Sequence, residues 1–292
     1  MIGLKRGTVA LFDHTKEWET EAEKTIEVLR DILGGVICDI AHVGSTSIKS
    51  IKAKPIIDIA VAVEDFKTVL ECEERLLEKG FYYRPKDDMD NQLLFAKGSF
   101  YEGTGDLQTH FVHVVKKDSM EWINYLNFRN YLNENKDVAK QYEDLKVSLA
   151  KKNPEDPGRK KYLEGKHGFI QSVLRTALVK SYLGKNVTVE IDRPIGTPHP
   201  KHPEIIYPIN YGYIPNVFGG DGEELDVYIL GIDERIGEGE RTAVKIIGIV
   251  YRKNDVEDKL VACPEGLKYT AEEIERIISF QEQFYDSHVE TE

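Results

Sequence analysis

The sequence predicts an α+β protein of two domains. The first, over residues 1–180, alternates helices with strands. The second, over residues 183–292, is a small β-barrel with a terminal helix. Three observations carry this prediction. The chain has 292 residues, enough for two domains of ordinary size. The segment Asn153-Pro154-Glu155-Asp156-Pro157-Gly158 breaks the chain, one more helical stretch follows over 162–180, and beyond it come several short strands and a single helix. The charge is also split. Residues 181–292 carry 11 Lys/Arg against 22 Asp/Glu, whereas the rest of the chain is nearly neutral, in a protein of net charge -12. An acidic second domain suits metal binding and argues against tight nucleic-acid binding.

In the first domain, Ala22, Ile26, Val28, Leu29, Ile32 and Leu33 recur at helical spacing and predict a helix over 17–33, ended by Gly34-Gly35. Residues 36–43 read as a strand running into Gly44-Ser45-Thr46-Ser47-Ile48, a turn and short helix. Residues 54–63 read as a buried strand holding one carboxylate, Asp58. A charge inside an apolar strand is costly unless it is paired or metal-bound, which makes Asp58 a candidate functional residue. A helix is expected over 66–79, strands over 81–84 and 93–98, a glycine-rich turn over 99–107 and a strand over 108–115. His110 and His113 face opposite sides of that last strand. Helices over 120–134 and 138–151 complete the domain.

The second domain opens with an alternating strand over 183–192. A Pro/His-rich loop over 194–203 leads into Y-P-I-N-Y-G-Y-I-P-N-V-F-G-G-D-G-E-E-L-D, residues 207–226. Asp221, Glu223, Glu224 and Asp226 repel one another unless solvent or a cation separates them. On a regular strand 221 and 223 would point one way and 226 the other, so a loop or bulge is required to converge them, and Gly219, Gly220 and Gly222 allow it. A solvated acidic turn is the plain alternative. Strands over 227–230 and 243–252 follow, the stretch 254–262 turns into another, and Thr270-Ala271-Glu272-Glu273 begins a capped helix.

No apolar run reaches 18 residues, and the start M-I-G-L-K-R-G-T-V has no apolar signal core, so a cytoplasmic protein without membrane contact is expected. Cys38, Cys72 and Cys263 have neither zinc nor disulfide spacing and are expected to be small buried residues.

H-V-G-S-T-S-I at 42–48, K-P-I-I-D-I at 54–59 and T-H-F-V-H-V-V at 109–115 together resemble the GrpB family over about residues 8–177, as do Trp18 and Asn127-Phe128-Arg129-Asn130-Tyr131-Leu132. The resemblance implies a nucleotidyltransferase-like mixed sheet with helices. It implies that Gly44 and Ser45 present backbone N–H groups and a hydroxyl to triphosphate oxygens. Asp58 would hold a divalent metal. Lys54 would contact phosphate, or simply lay its stem along apolar surface. Such transferases use Asp-x-Asp, whereas this chain has Asp58-Ile59-Ala60. His110 or His113 either replaces the missing acid as a ligand or is a core histidine. The implied activity is nucleotidyl transfer from a nucleoside triphosphate to an unknown acceptor.

The Tyr207–Asp226 run resembles the family I soluble inorganic pyrophosphatases, whose signature is Y-P-x-N-Y-G-Y-I followed by D-G-D-P-x-D. The likeness spans about residues 183–288. It implies Mg2+-dependent hydrolysis of inorganic diphosphate, with Mn2+ as the other candidate metal, and assembly into homo-oligomers. By match, Asp221, Asp226 and Glu190 are metal ligands, Glu223 stands at the general base, Tyr211 and Lys259 contact phosphate, and Tyr207 lines the substrate. Basic contacts are expected from Arg193, His199, Lys201 or His202. The second acidic segment departs from the family's D-x-x-x-x-D-x-K. Glu257 falls at its second acid and Arg252 at its first, so Asp255 or Asp258 replaces the lost ligand or one metal site is weakened. The late Lys-Tyr clamp is also missing. The third possibility, from a different class, is a degenerate phosphate- or nucleotide-binding protein.

Overall fold

The run Ile57–Val63 lies inside the first sheet, and every residue of it except Asp58 is buried. The computed structural model describes residues 1–89 and 91–292, and the chain divides into two units, Met1–Leu174 and Arg175–Glu292. The first unit contains β1 (Leu4–Lys5), α1 (Lys16–Leu33), β2 (Ile37–Val43), β3 (Ile57–Val63), α2 (Phe66–Leu70), α3 (Glu73–Glu78), β4 (Tyr82–Tyr83), β5 (Gln92–Lys97), α4 (Ser99–Glu102), β6 (Leu107–Gln108), β7 (His110–Lys116), α5 (Met120–Glu134) and α6 (Lys136–Lys152). The division between the units falls inside α7 (Lys160–Tyr182).

Five of these strands form a mixed sheet in the order β2-β3-β7-β5-β4, with β3 and β7 parallel and the other neighbours antiparallel. Because side chains alternate along a strand, β3 feeds two cores. Ile57, Ile59, Val61 and Val63 join Trp18, Ala22, Leu29 and Ile32 of α1, while Ala60 and Ala62 join Val43, Val115 and Trp122. Burial on both faces explains why β3 reads as a near-continuous apolar run.

The expected helix over 66–79 is two short helices, separated at Glu71–Cys72, although neither Gly nor Pro stands at the break. The expected strand over 108–115 is interrupted at Thr109, which bonds Lys97 O through both its N–H and its Oγ1. Leu107–Gln108 thereby leave the main sheet and pair with β1 instead. The turn expected over 99–107 includes α4, which ends at Gly103 in the left-handed conformation. Cys263 is buried and Cys72 half-buried, but Cys38 is exposed, contrary to expectation, because it lies on the edge strand β2.

The second unit contains β8 (Asn186–Arg193), β9 (Asn210–Phe218), β10 (Glu224–Ile229), β11 (Arg241–Arg252), β12 (Lys259–Cys263), α8 (Ala271–Glu282) and β13 (Ser287–Thr291). The order β12-β10-β9-β8-β11 closes because β11 also pairs with β12, giving a five-stranded barrel. Closure leaves no free edge among those five strands. Strand β13, which the sequence does not announce, adds to β11 outside the closure. Helix α8 starts with a complete capping box between Thr270 and Glu273, and buries Ile274 and Ile278 against Tyr207, Tyr211 and Tyr228. Among the described residues no helix is long and apolar enough to cross a membrane.

Strands β8 and β9 approach each other at Gly212, where an added Cβ would sit 2.0 Å from the Glu190 carbonyl oxygen. Backbone on the opposing side cannot retreat without opening the barrel. Gly212→Ala is therefore expected to destabilise the second unit by about 3 kcal/mol or more, which urea denaturation followed by tyrosine fluorescence would measure.

Candidate functional site

In the second unit the turn between β9 and β10 brings the acids together. Gly219 N–H donates to Glu223 O at 2.7 Å, and Glu223 N–H donates to Asp221 Oδ1 at 3.0 Å. Gly222 has φ +87°, and a Cβ on Gly220 would lie 2.2 Å from Val256 O, so the turn rests directly on the 253–258 loop. A Cβ on Gly219 would touch Asp221 Oδ1 and Glu257 Cγ, each at 3.4 Å. Asp221 and Glu257, 36 positions apart in sequence, thus meet over a bare glycine.

Register fixes the rest. Asp226 faces Tyr213 across β9–β10, and the next pair on the other side, Val227↔Leu260, brings Asp226 beside Lys259. The buried Lys259 ammonium forms ion pairs with Asp226 and, at 2.7 Å, with Glu257. Burial opposes its charge, but Asp226 and Glu257 outweigh burial and raise its pKa. Burial pushes Glu257 up to about 7 against the pull of Lys259, with Asp226 and Asp221 adding to the rise. Glu257 Oε1 is buried without a hydrogen-bond partner.

Two cations lie by the Tyr211 ring, Arg193 at 5.0 Å and Lys259 at 5.6 Å from its centroid. Tyr211 is fully buried, and burial followed by the nearby Asp226 carboxylate raises its pKa well above the usual value. Tyr207 accepts a hydrogen bond from Arg193 Nη1 at 2.7 Å. Of the four basic candidates, Arg193 therefore stands at the tyrosines. His199 stacks on Tyr207 at 6.2 Å, while Lys201 and His202 are exposed.

Three expected ligands are engaged elsewhere. Glu190 Oε1 accepts from Tyr213 at 2.7 Å and Oε2 from Arg241 at 2.9 Å, and these bonds lower its pKa. Tyr213 separates it in register from Asp226. Asp258 is gripped by Arg175, which donates to both carboxylate oxygens and also to the carbonyls of Asp255 and Arg252. Asp255 pairs with Arg252 at 3.0 Å. In this structure Asp255 and Asp258 are each paired with an arginine. Arg252 is itself buried, bonded to Glu282 and stacked 3.7 Å from the Tyr285 ring centroid. Arg175, Glu282 and Tyr285 were not foreseen as part of this site.

In the first unit, Gly44 turns at φ +68°, and a Cβ there would sit 2.4 Å from Asp58 Oδ2. Ser45 follows at the start of a short 3-10 turn. Asp58 Oδ1 lies 3.4 Å from His113 Nε2, and His113 packs against Tyr125. Ala60 is the register partner of His113. His110 is on the other face, buried near Phe81 and 3.4 Å from Glu21. His42, paired with Ile59, also shares the α1 face and bonds Thr46 at 2.9 Å, so it does not join Asp58. Lys54 lies 4.9 Å from the Tyr162 ring centroid.

With this geometry in view, residues 8–176 match the family model described as GrpB protein, and residues 179–290 match that of inorganic pyrophosphatase. The glutamate-rich protein GrpB of Alkalihalophilus pseudofirmus is 39% identical over 175 residues, covering 60% of this chain and 98% of that protein. The crystal structure of conserved protein GrpB from Enterococcus faecalis superposes with TM-score 0.54 at 30% identity, covering 59% of this chain and 99% of that one. An inorganic pyrophosphatase of Saccharolobus solfataricus is 33% identical over 100 residues, 34% of this chain and 54% of that protein. The chain thus spans about half the length of that pyrophosphatase. Arg175 precedes the pyrophosphatase match.

Removing one partner of a buried ion pair costs about 3–5 kcal/mol, because the other charge is stranded. Arg175→Met should accordingly loosen the 253–258 loop, seen as faster amide exchange there, and Asp258→Asn should produce the same pattern. His42 and His110 are each held down to about 4, first of all by burial. The folded state then binds fewer protons than the unfolded state between about pH 4 and 6.5. Stability from these groups is complete above about pH 6.5 and is lost as pH falls toward 4, at about 1.4 kcal/mol per pKa unit per group. Urea midpoints measured across that range should flatten in His110→Gln.

Proposed function

Because the chain belongs to the GrpB family and carries an inorganic pyrophosphatase domain behind it, we propose that the second unit hydrolyses inorganic diphosphate with the help of Mg2+. The observation that carries this reading is the buried Lys259 held between Asp226 and Glu257, with Asp221 and the Arg193–Tyr211 pair alongside.

The donor set fits Mg2+ of the kind that takes one or two carboxylates and completes its shell with water and substrate phosphate. The unpartnered buried Oε1 of Glu257 would be one such donor, with Asp221 or Asp226 as the other. No group of three or more His, Cys, Asp or Glu side chains able to hold a metal by themselves is assembled among the described residues, so a full protein cage does not fit. When bound, the metal would lower the pKa of water and offset charge on the phosphates. The chain's own groups would do the rest. Arg193 and Lys259 would attract and orient the diphosphate, and Tyr211 would offer its hydroxyl to a phosphate oxygen. Glu223, exposed on the acid turn, would take the proton from the water whose oxygen displaces the leaving phosphate. Glu190 and Asp258 would shape the site without touching metal.

A second reading, nucleotidyl transfer by the first unit, is favoured by the turn at Gly44-Ser45 pressed against Asp58. Ala60 in place of a second acid counts against it. If both held, hydrolysis of the released diphosphate would draw the transfer forward. Phosphate release from diphosphate in Mg2+ is the deciding assay. Wild type should release phosphate, and Asp226→Ala should lower the rate about 100-fold or more. No release by wild type in Mg2+ or Mn2+ would overturn the hydrolase reading in favour of phosphate binding without turnover.

A further inference from the structure

Arg175 lies on α7, ahead of the residues that match the pyrophosphatase family model. Its half-buried guanidinium commits every nitrogen to residues 252–258. Nε donates to Asp258 Oδ2 at 2.8 Å, Nη1 to Asp255 O at 2.6 Å and Nη2 to Arg252 O at 3.0 Å, and Nη2 also donates to Asp258 Oδ1. Asp258 Oδ1 in turn accepts the Arg252 N–H at 3.1 Å. One side chain thus holds the 253–258 loop at its start, its middle and its end. A planar fork of donors can do that, whereas the single ammonium of a lysine cannot reach all these acceptors at once.

The acid turn rests on what Arg175 holds. A Cβ on Gly220 would meet Val256 O at 2.2 Å and Arg175 Cδ at 3.9 Å, so loop and arginine form one floor beneath the turn. Glu257 stands between Val256 and the clamped Asp258. Its Oε2 accepts from Lys259 at 2.7 Å, its Cγ approaches Gly219 beside Asp221, and its Oε1 is buried with no hydrogen-bond partner. Asp221, Asp226 and Glu257 carry like charge, and Lys259 answers only part of it. In a loose loop Glu257 would drift from the other two acids, and an arriving cation would have to gather them again. Groups that orient a metal's ligands without touching the metal are typically worth about 10- to 100-fold in its affinity.

We infer that Arg175 is a positioning residue for the divalent cation of the second unit. By clamping residues 252–258 through Asp258 and two carbonyls, it holds Glu257 where it can bind the ion together with Asp221 or Asp226. The inference rests on the donor set of the hydrolase reading and deepens it, because it assigns part of the ion's affinity to a residue outside the family match.

The test is a titration of the full-length protein with Mn2+, followed by the electron paramagnetic resonance signal of the free ion, with no diphosphate present. Wild type should bind Mn2+ that Asp221→Ala loses, which identifies the ion at this site. Arg175→Met should weaken that binding at least about 10-fold, and Asp258→Asn should do the same. Arg175→Lys, which keeps the charge but not the fork, should fall between. Ile278→Val, a core change in α8, should lower the urea midpoint while leaving the Mn2+ affinity at the wild-type value, so that affinity and stability are read separately. If Arg175→Met does not fold, Arg175→Lys and Asp258→Asn decide together. No binding by wild type, binding that Asp221→Ala leaves intact, or a loss in Asp258→Asn with none in the arginine variants would each overturn the inference; the last would make Asp258 a ligand itself. Phosphate release from diphosphate separates this inference from the hydrolase reading. A wild type that binds Mn2+ as expected but releases no phosphate removes the hydrolase and keeps the role of Arg175. Release by wild type, with Mn2+ affinity unchanged in Arg175→Met, removes that role and keeps the hydrolase.

Discussion

The second unit depends on one buried ammonium. Lys259 sits on a strand whose residues are all buried, where an unpaired charge would be too costly to keep. Asp226 and Glu257 meet that cost from two sides, and in doing so they fix where the acid turn and the 253–258 loop must lie. The turn can settle there because Gly220 leaves the space that a side chain would fill. The site is therefore held together by charge pairing inside a closed barrel. The barrel's lack of a free edge keeps the strands from shifting to relieve it.

The same logic governs the loop behind it. Arg252 falls where the pyrophosphatase pattern has an acid. Burial works against its charge, but Glu282 and Tyr228 outweigh burial and raise its pKa. Asp255 and Asp258 are drawn to Arg252 and Arg175 respectively. Where the family pattern has a carboxylate free for metal, this chain has arginines that consume carboxylates. The site is left with fewer available acids but with positive charge built in.

The first unit shows a contrasting economy. Asp58 is the one residue of β3 not fully buried, and it looks onto a glycine turn on one side and His113 on the other. The alternation of the strand decides which histidine it meets: His113 shares its face and His110 does not.

Much of this was legible in the sequence. Helical spacing located α1, and α5 falls on its expected residues. The short strands with one capped helix indicated the barrel, and the family patterns located Asp221, Asp226, Lys259, Gly44 and Asp58. Period and motif report a residue's own preferences and neighbours along the chain. They do not report which distant partner will claim a charge. Glu190 and Asp258 looked like available ligands because nothing near them in sequence announces Arg241 and Arg175, 51 and 83 positions away, as partners. An arginine inside the apolar run 243–252 was the one sign that acids nearby would be consumed. The strand β13 and the break between α2 and α3 left no local mark. The sequence by itself determined the two folds and the residue types at each site. Only the tertiary structure decided which carboxylates remain free, because burial makes every charge choose a partner and that choice is made across strands and helices.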